Sequence, residues 1–438
     1  MYHSVTRLCW RISLPVMLFF LAANAYTQTN EVSQCDALPQ LSSESLVQVA
    51  LECNPGYRSS ISQLEAREIL VEISDSLRDP SITIGMAPLT FSDHEYDEGY
   101  IVELKQALPW PGVRGIRKQA STAKVSEWSA RTSLHQIELA QKVRLQYALL
   151  QYLHALLLIN KENVNLWQEF GFIVESKYAS GNGSKSEVLQ SKHEQHLLKQ
   201  EAISLLGRIE RNRSRLSQLI AHKTLSYPLT KQETITSTLI DPNGIKRKLL
   251  SNLDSQPSMR VLDAQKDQKR QEISLAKKDR YPSFSVMARY NSLWMNEQQR
   301  WIVGVGFNLP FDSVKRNSKE NSLRAELSAL EWSKQDQILV LRKNLEQAFS
   351  FWQETKDINR LYQQELLPLA KETLYTAQLE YQSGAGNFLS LLTTQKQSLN
   401  IQRLAQKAIY DQAAQFGNLT AAAGFAHARE WSTTGEQL

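Results

Sequence analysis

The stretch Tyr178-Ala179-Ser180-Gly181-Asn182-Gly183 recurs about 202 residues later as Tyr381-Gln382-Ser383-Gly384-Ala385-Gly386. In each copy a long helical pattern runs up to the tyrosine, stops at the glycines and resumes as a second amphipathic pattern. Glycine accepts the left-handed backbone that ends a helix, so each copy reads as the tip of a helical hairpin. Three further pairs keep the same order at nearly the same spacing. They are Asn54-Pro55-Gly56 with Gln256-Pro257-Ser258, Pro80-Ser81-Ile82-Thr83-Ile84 with Pro282-Ser283-Phe284-Ser285-Val286, and Leu108-Pro109-Trp110 with Leu309-Pro310-Phe311. One such match carries little weight; four in register indicate a tandem structural duplication.

Each half has the same layout: a helix (about 41–77 and 257–279), two alternating stretches, a very long helix, the Gly turn, and a second long helix. After Pro111-Gly112 the helical pattern reaches about Ala179 without a proline. That is roughly 65 residues, or about 100 Å at 1.5 Å per residue. Val143, Leu150, Leu157 and Val164 repeat at seven, with Leu153 and Trp167 three later. Leu145, Tyr152, Ile159, Leu166 and Ile173 form a second series. Two series make an apolar face wider than a two-stranded seam, as suits a helix with a neighbour on either side.

The alternating stretches have the period of strands with one apolar face. Ile82, Ile84 and Met86 oppose Ser81, Thr83 and Gly85. Tyr100, Val102, Leu104 and Leu108 oppose Glu103, Lys105 and Ala107. Phe284, Val286, Ala288 and Tyr290 oppose Ser283, Ser285, Arg289 and Asn291. Trp301, Val303, Val305, Phe307 and Leu309 oppose Gly304, Gly306 and Asn308. Nine or ten residues is the length of a tilted membrane strand, and Tyr96, Tyr100, Trp110, Tyr281, Tyr290, Trp294 and Trp301 lie near strand ends, where an aromatic girdle belongs. Glu103, Lys105, Arg289 and Asn308 are then expected to face a wet lumen. A soluble sandwich is the alternative, but four strands give little sheet to stack. They also cannot close a barrel, and open edges are not tolerated in lipid. Several chains must therefore share one barrel; three would supply 12 strands. The loop carrying Asp93, Glu95, Asp97 and Glu98 reads as a solvated hairpin connection.

Arg7 and Arg11 precede an apolar run from Ile12 to Ala23, and Ala23-Asn24-Ala25 is a small-x-small cleavage site, so residues 1–25 read as an export signal. The expected layout is then 26–222 as the first repeat, 223–250 as a linker, 251–427 as the second repeat, and 428–438 as a disordered tail. The 438 residues carry 50 Lys+Arg against 45 Asp+Glu with 42% hydrophobic residues, which excludes a wholly disordered chain and gives no basis for nucleic-acid binding. No apolar run of 18 follows Tyr26, so any membrane crossing is by strands. Cys35 and Cys53 are candidates for a disulfide in an oxidising compartment.

Nothing in the sequence points to catalysis or a cofactor. His193-Glu194-Gln195-His196 is one residue short of the His-Glu-x-x-His zinc helix; there is no Gly-x-Ser-x-Gly elbow and no phosphate loop. No catalytic, metal or cofactor residue is therefore assigned.

Ala50-Leu51-Glu52-Cys53-Asn54-Pro55 resembles the Ala-Leu-x-x-Asn-Pro opening of TolC-family outer-membrane efflux proteins, and the two Tyr-x-x-Gly tips are similar to that family's periplasmic tips. The second half departs from the opening motif, keeping only a proline and a leucine in Asn252-Leu253-Asp254-Ser255-Gln256-Pro257. The resemblance implies a mainly α fold with a small β part: a homotrimer whose duplicated hairpins form a helical barrel in the periplasm and whose four strands per chain form a 12-stranded barrel in outer-membrane lipid. It implies an exit duct that is not an enzyme. The tips, with Tyr178, Ser180, Gly181, Gly183, Tyr381, Ser383, Gly384 and Gly386, would dock a periplasmic adaptor (membrane fusion protein) and an inner-membrane pump of the RND type. The turn Leu108-Pro109-Trp110-Pro111-Gly112-Val113-Arg114-Gly115 looks like that of the heavy-metal cation efflux subgroup, so metal cations or small toxic compounds are the implied cargo. The alternative is a periplasmic coiled-coil adaptor, which would carry one hairpin between soluble β-domains.

Overall fold

The computed structural model describes residues 42–87, 99–222, 242–294, 297–427 and 431. The expected export signal, Cys35, the acidic loop residues Asp93, Glu95, Asp97 and Glu98, and most of the linker lie outside them. Within the described residues the duplication is plain. Helices α1 (Ser43–Cys53) and α2 (Pro55–Ile73) lead into strands β1 (Ser81–Ala87) and β2 (Gly99–Leu108), then α3 (Val113–Ala179) and α4 (Lys185–Ile220). The second half follows with α5 (Pro242–Ser251), α6 (Pro257–Lys278), β3 (Ser283–Asn291), β4 (Trp301–Asn308), α7 (Ser313–Leu361), α8 (Leu367–Ser383) and α9 (Phe388–Ala422). No helix among the described residues is long and apolar enough to cross a membrane.

The 67 residues of α3 form one helix of about 100 Å. Its first heptad series is its core face: Val143, Leu150, Leu153, Leu157 and Trp167 are all buried. The second series, Leu145 to Ile173, is only half-buried in the single chain. The counterpart in the second half is not continuous. A π-helical turn at Tyr362–Leu366 separates α7 from α8. Pro368 lies just beyond it, and its missing N–H leaves the Gln364 carbonyl without the usual donor.

Three apolar clusters hold the helices. One joins α1 (Leu46, Val47, Ala50) to α3 and α4 in the first half. A second joins α5, α7 and α9 through Ile245, Leu345, Trp352 and Leu419. The third lies toward the tips and crosses between halves, packing Trp167, Phe170 and Val174 of α3 and Leu198 of α4 on Leu374, Tyr381, Phe388 and Leu391.

The sequence reading needs correction at four places. The first helix is two helices, because Pro55 cannot continue α1 and Asn54 caps α2. The 223–250 linker is not all linker: Pro242–Ser251 is helical and buries Ile245 in the second core. The 428–438 tail is not wholly disordered, since Trp431 is buried against Phe349, Phe416 and Phe425 and donates its indole N–H to Thr420 Oγ1 at 3.1 Å. An indole that finds both an apolar pocket and an acceptor has reason to stay folded. As to the cysteines, Cys53 is disulfide-bonded, while Cys35 lies outside the described residues.

The fourth correction concerns the opening motif. Asn54 Oδ1 accepts from Tyr57 N at 3.1 Å, while its Nδ2 donates to the Leu219 carbonyl at 2.8 Å. One amide thus caps the start of α2 and satisfies a carbonyl at the end of α4, both of which the helices leave without partners. Gln256 makes the second contact in the other half, with Nε2 donating to the Ala422 carbonyl at the end of α9 at 3.1 Å. The motif that looked lost is kept in function by a longer amide. Asn54→Ala removes both contacts and should destabilise the protein by about 1–3 kcal/mol. Thermal melting followed by far-ultraviolet circular dichroism should show a clear drop, with Asn54→Asp intermediate because it retains only the cap oxygen. An unchanged melting temperature in both variants would contradict this role.

Candidate channel wall and helical tips

The four strands form one antiparallel sheet in the order β1-β2-β3-β4, with β2 and β3 joining the two halves. The register aligns the alternation of all four. Ile84 pairs with Val102, Val102 with Tyr290, and Tyr290 with Trp301; Ile82 pairs with Leu104, Leu104 with Ala288, and Ala288 with Val303. One face is therefore apolar from edge to edge, and it is open: Val303 is 79% exposed, and Ile82 and Trp301 are 67% exposed. So wide an uncovered apolar face is not left to water.

The opposite face brings together the four residues expected to line a lumen. Glu103 pairs in register with Arg289, whose Nε donates to Glu103 Oε2 at 2.8 Å; Thr83 is on the other side of Glu103. Lys105 lies between Ser81 and Met287, and Asn308 opposite Ser283. This face also includes small residues, with Ile101, Met287 and Ile302 its large apolar members. A Cβ at Gly304 would meet Met287 Cε at 2.8 Å, and one at Gly306 would meet Ser285 Oγ at 2.7 Å. The close approach at Gly304 and Gly306 favours glycine at both positions of the polar face.

Aromatic groups mark both ends of the apolar face. Trp301 packs on Tyr290 at 5.2 Å and Tyr290 on Tyr100 at 5.7 Å at the loop end. At the helix end Trp110 stacks on Tyr281 at 4.8 Å and on Phe284 at 5.4 Å. Two belts separated by one strand length are what the two interfaces of a bilayer select.

At the far end of the helices the two tips are built alike. Gly181 and Gly384 have φ of +80° and +81°, which only glycine adopts at little cost. Gly183 and Gly386 are needed for close approach: a Cβ there would stand 3.1 Å from Tyr178 N and 3.1 Å from Glu380 Cβ, respectively. Ser180 Oγ donates to the Lys177 carbonyl at 3.0 Å, and Ser383 Oγ to the Glu380 carbonyl at 3.1 Å. Ser184 and Asn387 then cap the returning helices through Glu187 N and Ser390 N.

The two tyrosines differ. Tyr178 is 48% exposed, but Tyr381 is 4% exposed and so does not fit the docking role expected of it. Its ring lies under Lys177 Nζ at 4.1 Å, and the same ammonium donates to its carbonyl. Its hydroxyl lies 3.5 Å from Glu187 Oε2. Burial, with the Glu187 carboxylate adding to it, pushes the Tyr381 hydroxyl up to about 12. Lys177, Glu187 and Tyr381 thus clasp the first hairpin to the second. Period and motif reading gave no sign of Lys177 or Glu187; only their proximity across the halves reveals them. His193 and His196 are both exposed on α4, and no group of three possible metal ligands occurs among the described residues.

A sheet with one lipid-facing side and one polar side, joined to hairpins about 100 Å long, defines an outer-membrane channel with a periplasmic helical extension. Residues 250–425 match the family of outer membrane efflux proteins. No curated protein sequence matches the chain. Among solved structures, the outer-membrane channel OprN superposes with a TM-score of 0.72 at 18% identity over 90% of this chain and 94% of that one. CusC gives 0.73 at 16% identity over 87% and 92%. The open state of the Neisseria gonorrhoeae MtrE channel gives 0.72 at 16% identity over 88% and 89%. These likenesses establish the fold over nearly the whole chain, and the family match falls on its second half. Residues 250–425 carry the outer membrane efflux protein match, and the described chain has the fold of such channels: the protein is an outer-membrane exit duct that extends into the periplasm. Proteins of this family work as trimers with an adaptor and an inner-membrane pump.

The two faces of the sheet should answer differently to charge. Val303→Arg places a cation on the apolar face near mid-strand, where the bilayer exacts about 2–4 kcal/mol. The amount of heat-modifiable oligomer in outer-membrane fractions should fall sharply. Thr83→Arg, on the polar face beside Glu103, should leave it near wild type. Equal losses would contradict the assignment of faces.

Proposed function

We propose that Glu103, Lys105, Arg289 and Asn308 line the wet interior of the trimeric barrel, through which small toxic solutes, metal cations among them, leave the cell. The aligned register supports this reading, since it gathers all four residues on one face while most large apolar side chains, Trp301, Val303 and Phe307 among them, take the other. The paired charges of Glu103 and Arg289 keep that wall hydrated without strong preference for one sign.

The exposed rim of the tips, with Tyr178, Ser180, Gly181, Ser383 and Gly384, is proposed to meet the adaptor of an RND-type pump. Gly183 and Gly386 serve by building the turns. Tyr381 is assigned a different part: with Lys177 and Glu187 it holds the two hairpins together and the inner end of the duct closed. Engagement of the adaptor would release this clasp.

The clasp makes a graded prediction for single-channel conductance in planar bilayers. Tyr381→Phe keeps the ring beneath Lys177 and loses only the hydroxyl, so conductance should rise modestly. Lys177→Ala removes both contacts of the ammonium and should raise it further. The pH dependence has a definite sign. With its pKa raised from 10.0 to about 12, the Tyr381 hydroxyl remains a donor at all pH values below 10 and is lost as pH rises through about 12. Conductance should be insensitive to this group below pH 10 and increase above it. Variants that conduct like wild type would overturn the clasp.

A further inference from the structure

A cavity of about 430 Å³ opens where the sheet meets the helices. All four strand–helix junctions reach it: the α2–β1 connection at Ser76, Leu77 and Arg78, and the β2–α3, α6–β3 and β4–α7 junctions. Six cations line it, namely Arg78, Arg117, Lys278, Lys315, Arg316 and Lys319, against a single acid, Asp279. That acid is already engaged, its carboxylate by Lys319 Nζ at 2.8 Å and its carbonyl by Arg316 Nε at 2.8 Å. Among the described residues Arg78, Arg117 and Lys315 have no acidic partner. Six positive side chains around one cavity repel each other, and an arrangement of this kind is stabilised by an anion.

One part of the remaining wall is aromatic and continuous with the apolar face. Trp110, Tyr281 and Phe284 are the stacked belt described above, and Lys278 Nζ lies 5.4 Å from the Tyr281 ring. Beside them Leu309, Phe311 and Val314 are exposed at 53%, 87% and 74%, and the lysine at 315 follows at once. Hydrocarbon-facing side chains therefore give way to cations within one helical turn. That is the polarity change between acyl chains and headgroup phosphates, and aromatic rings favour the same depth. A free phosphate would use the cations alone. A phospholipid would use the cations for its phosphodiester and the apolar rim for its chains. With Asp279 paired to Lys319, the cavity offers no free carboxylate for a headgroup ammonium.

We propose that this cavity is a binding site for an anionic phospholipid headgroup, of the phosphatidylglycerol type, in the periplasm-facing leaflet of the outer membrane, one per protomer. The assignment rests on the reading that the apolar face of the sheet lies in lipid.

The test is native mass spectrometry of the mature full-length protein released from nanodiscs holding equal amounts of phosphatidylglycerol and phosphatidylcholine of the same chain length. The expected result is an oligomer retaining phosphatidylglycerol in clear excess, up to one per chain. Arg78→Gln, Arg117→Gln and Lys315→Gln should each weaken that retention about fivefold, at the typical contribution of one cation near an anionic surface. Lys142→Gln, on an exposed part of α3 remote from the cavity, should not. Equal retention of the two lipids by the wild-type protein would overturn the site without touching the membrane reading. Displacement of phosphatidylglycerol by an equal concentration of inorganic phosphate would overturn the lipid assignment in favour of a free-anion pocket. A protein that fails to enter nanodiscs would overturn the membrane reading and the site together.

Discussion

The rest of the structure depends on one constraint: a four-stranded sheet that is apolar across one whole face and unpaired at both edges cannot exist alone. In water the face is uncovered, and in lipid the open N–H and C=O groups of β1 and β4 have no partner. Both demands are met together if β4 of one chain pairs with β1 of the next. Because β1 runs opposite to β4, that junction continues the antiparallel alternation. Three chains then close a barrel with the small, polar residues inside. The second heptad series of α3 makes a related demand of the helices, since it stays half-buried after packing within the chain and leaves area for a neighbour.

Duplication lets one set of devices serve twice, and the places where the copies differ are informative. The amide that ties a helix start to the end of the returning helix is Asn54 in one half and Gln256 in the other. The tips use identical turn chemistry at Gly181 and Gly384. Yet Tyr178 is open while Tyr381 is clasped by Lys177 and Glu187. This asymmetry follows from position: one tyrosine faces the other half of its own chain, and its counterpart faces outward. Arg144 adds a second tie between the halves. Although 7% exposed, it donates to both Glu44 carboxylate oxygens, at 2.8 and 3.0 Å, and to the Ala426 carbonyl at 2.6 Å. A buried guanidinium is tolerated only with such partners.

Most of the architecture was legible because it is periodic. Heptads in α3, alternation in the strands and a repeated Gly turn are signals that local sequence carries directly. The same holds for the shared face of Glu103, Lys105, Arg289 and Asn308, since the pleat fixes it once the strands are known. What escaped was decided by long-range contact. Trp431 looked like part of a polar tail because its pocket is assembled from α7, α9 and Phe425. Gln256 looked like a lost asparagine because its acceptor is 166 residues away. The burial of Tyr381 could not be read from a motif that reads the same in both tips.

The measurement that bears most directly on this account is the mass of the detergent-extracted outer-membrane species. A shared barrel predicts a complex of three chains that resists dissociation in mild detergent and unfolds on heating, with no folded monomer beside it. A stable folded monomer, or an even-numbered assembly, would contradict the closure of three four-stranded sheets into one barrel.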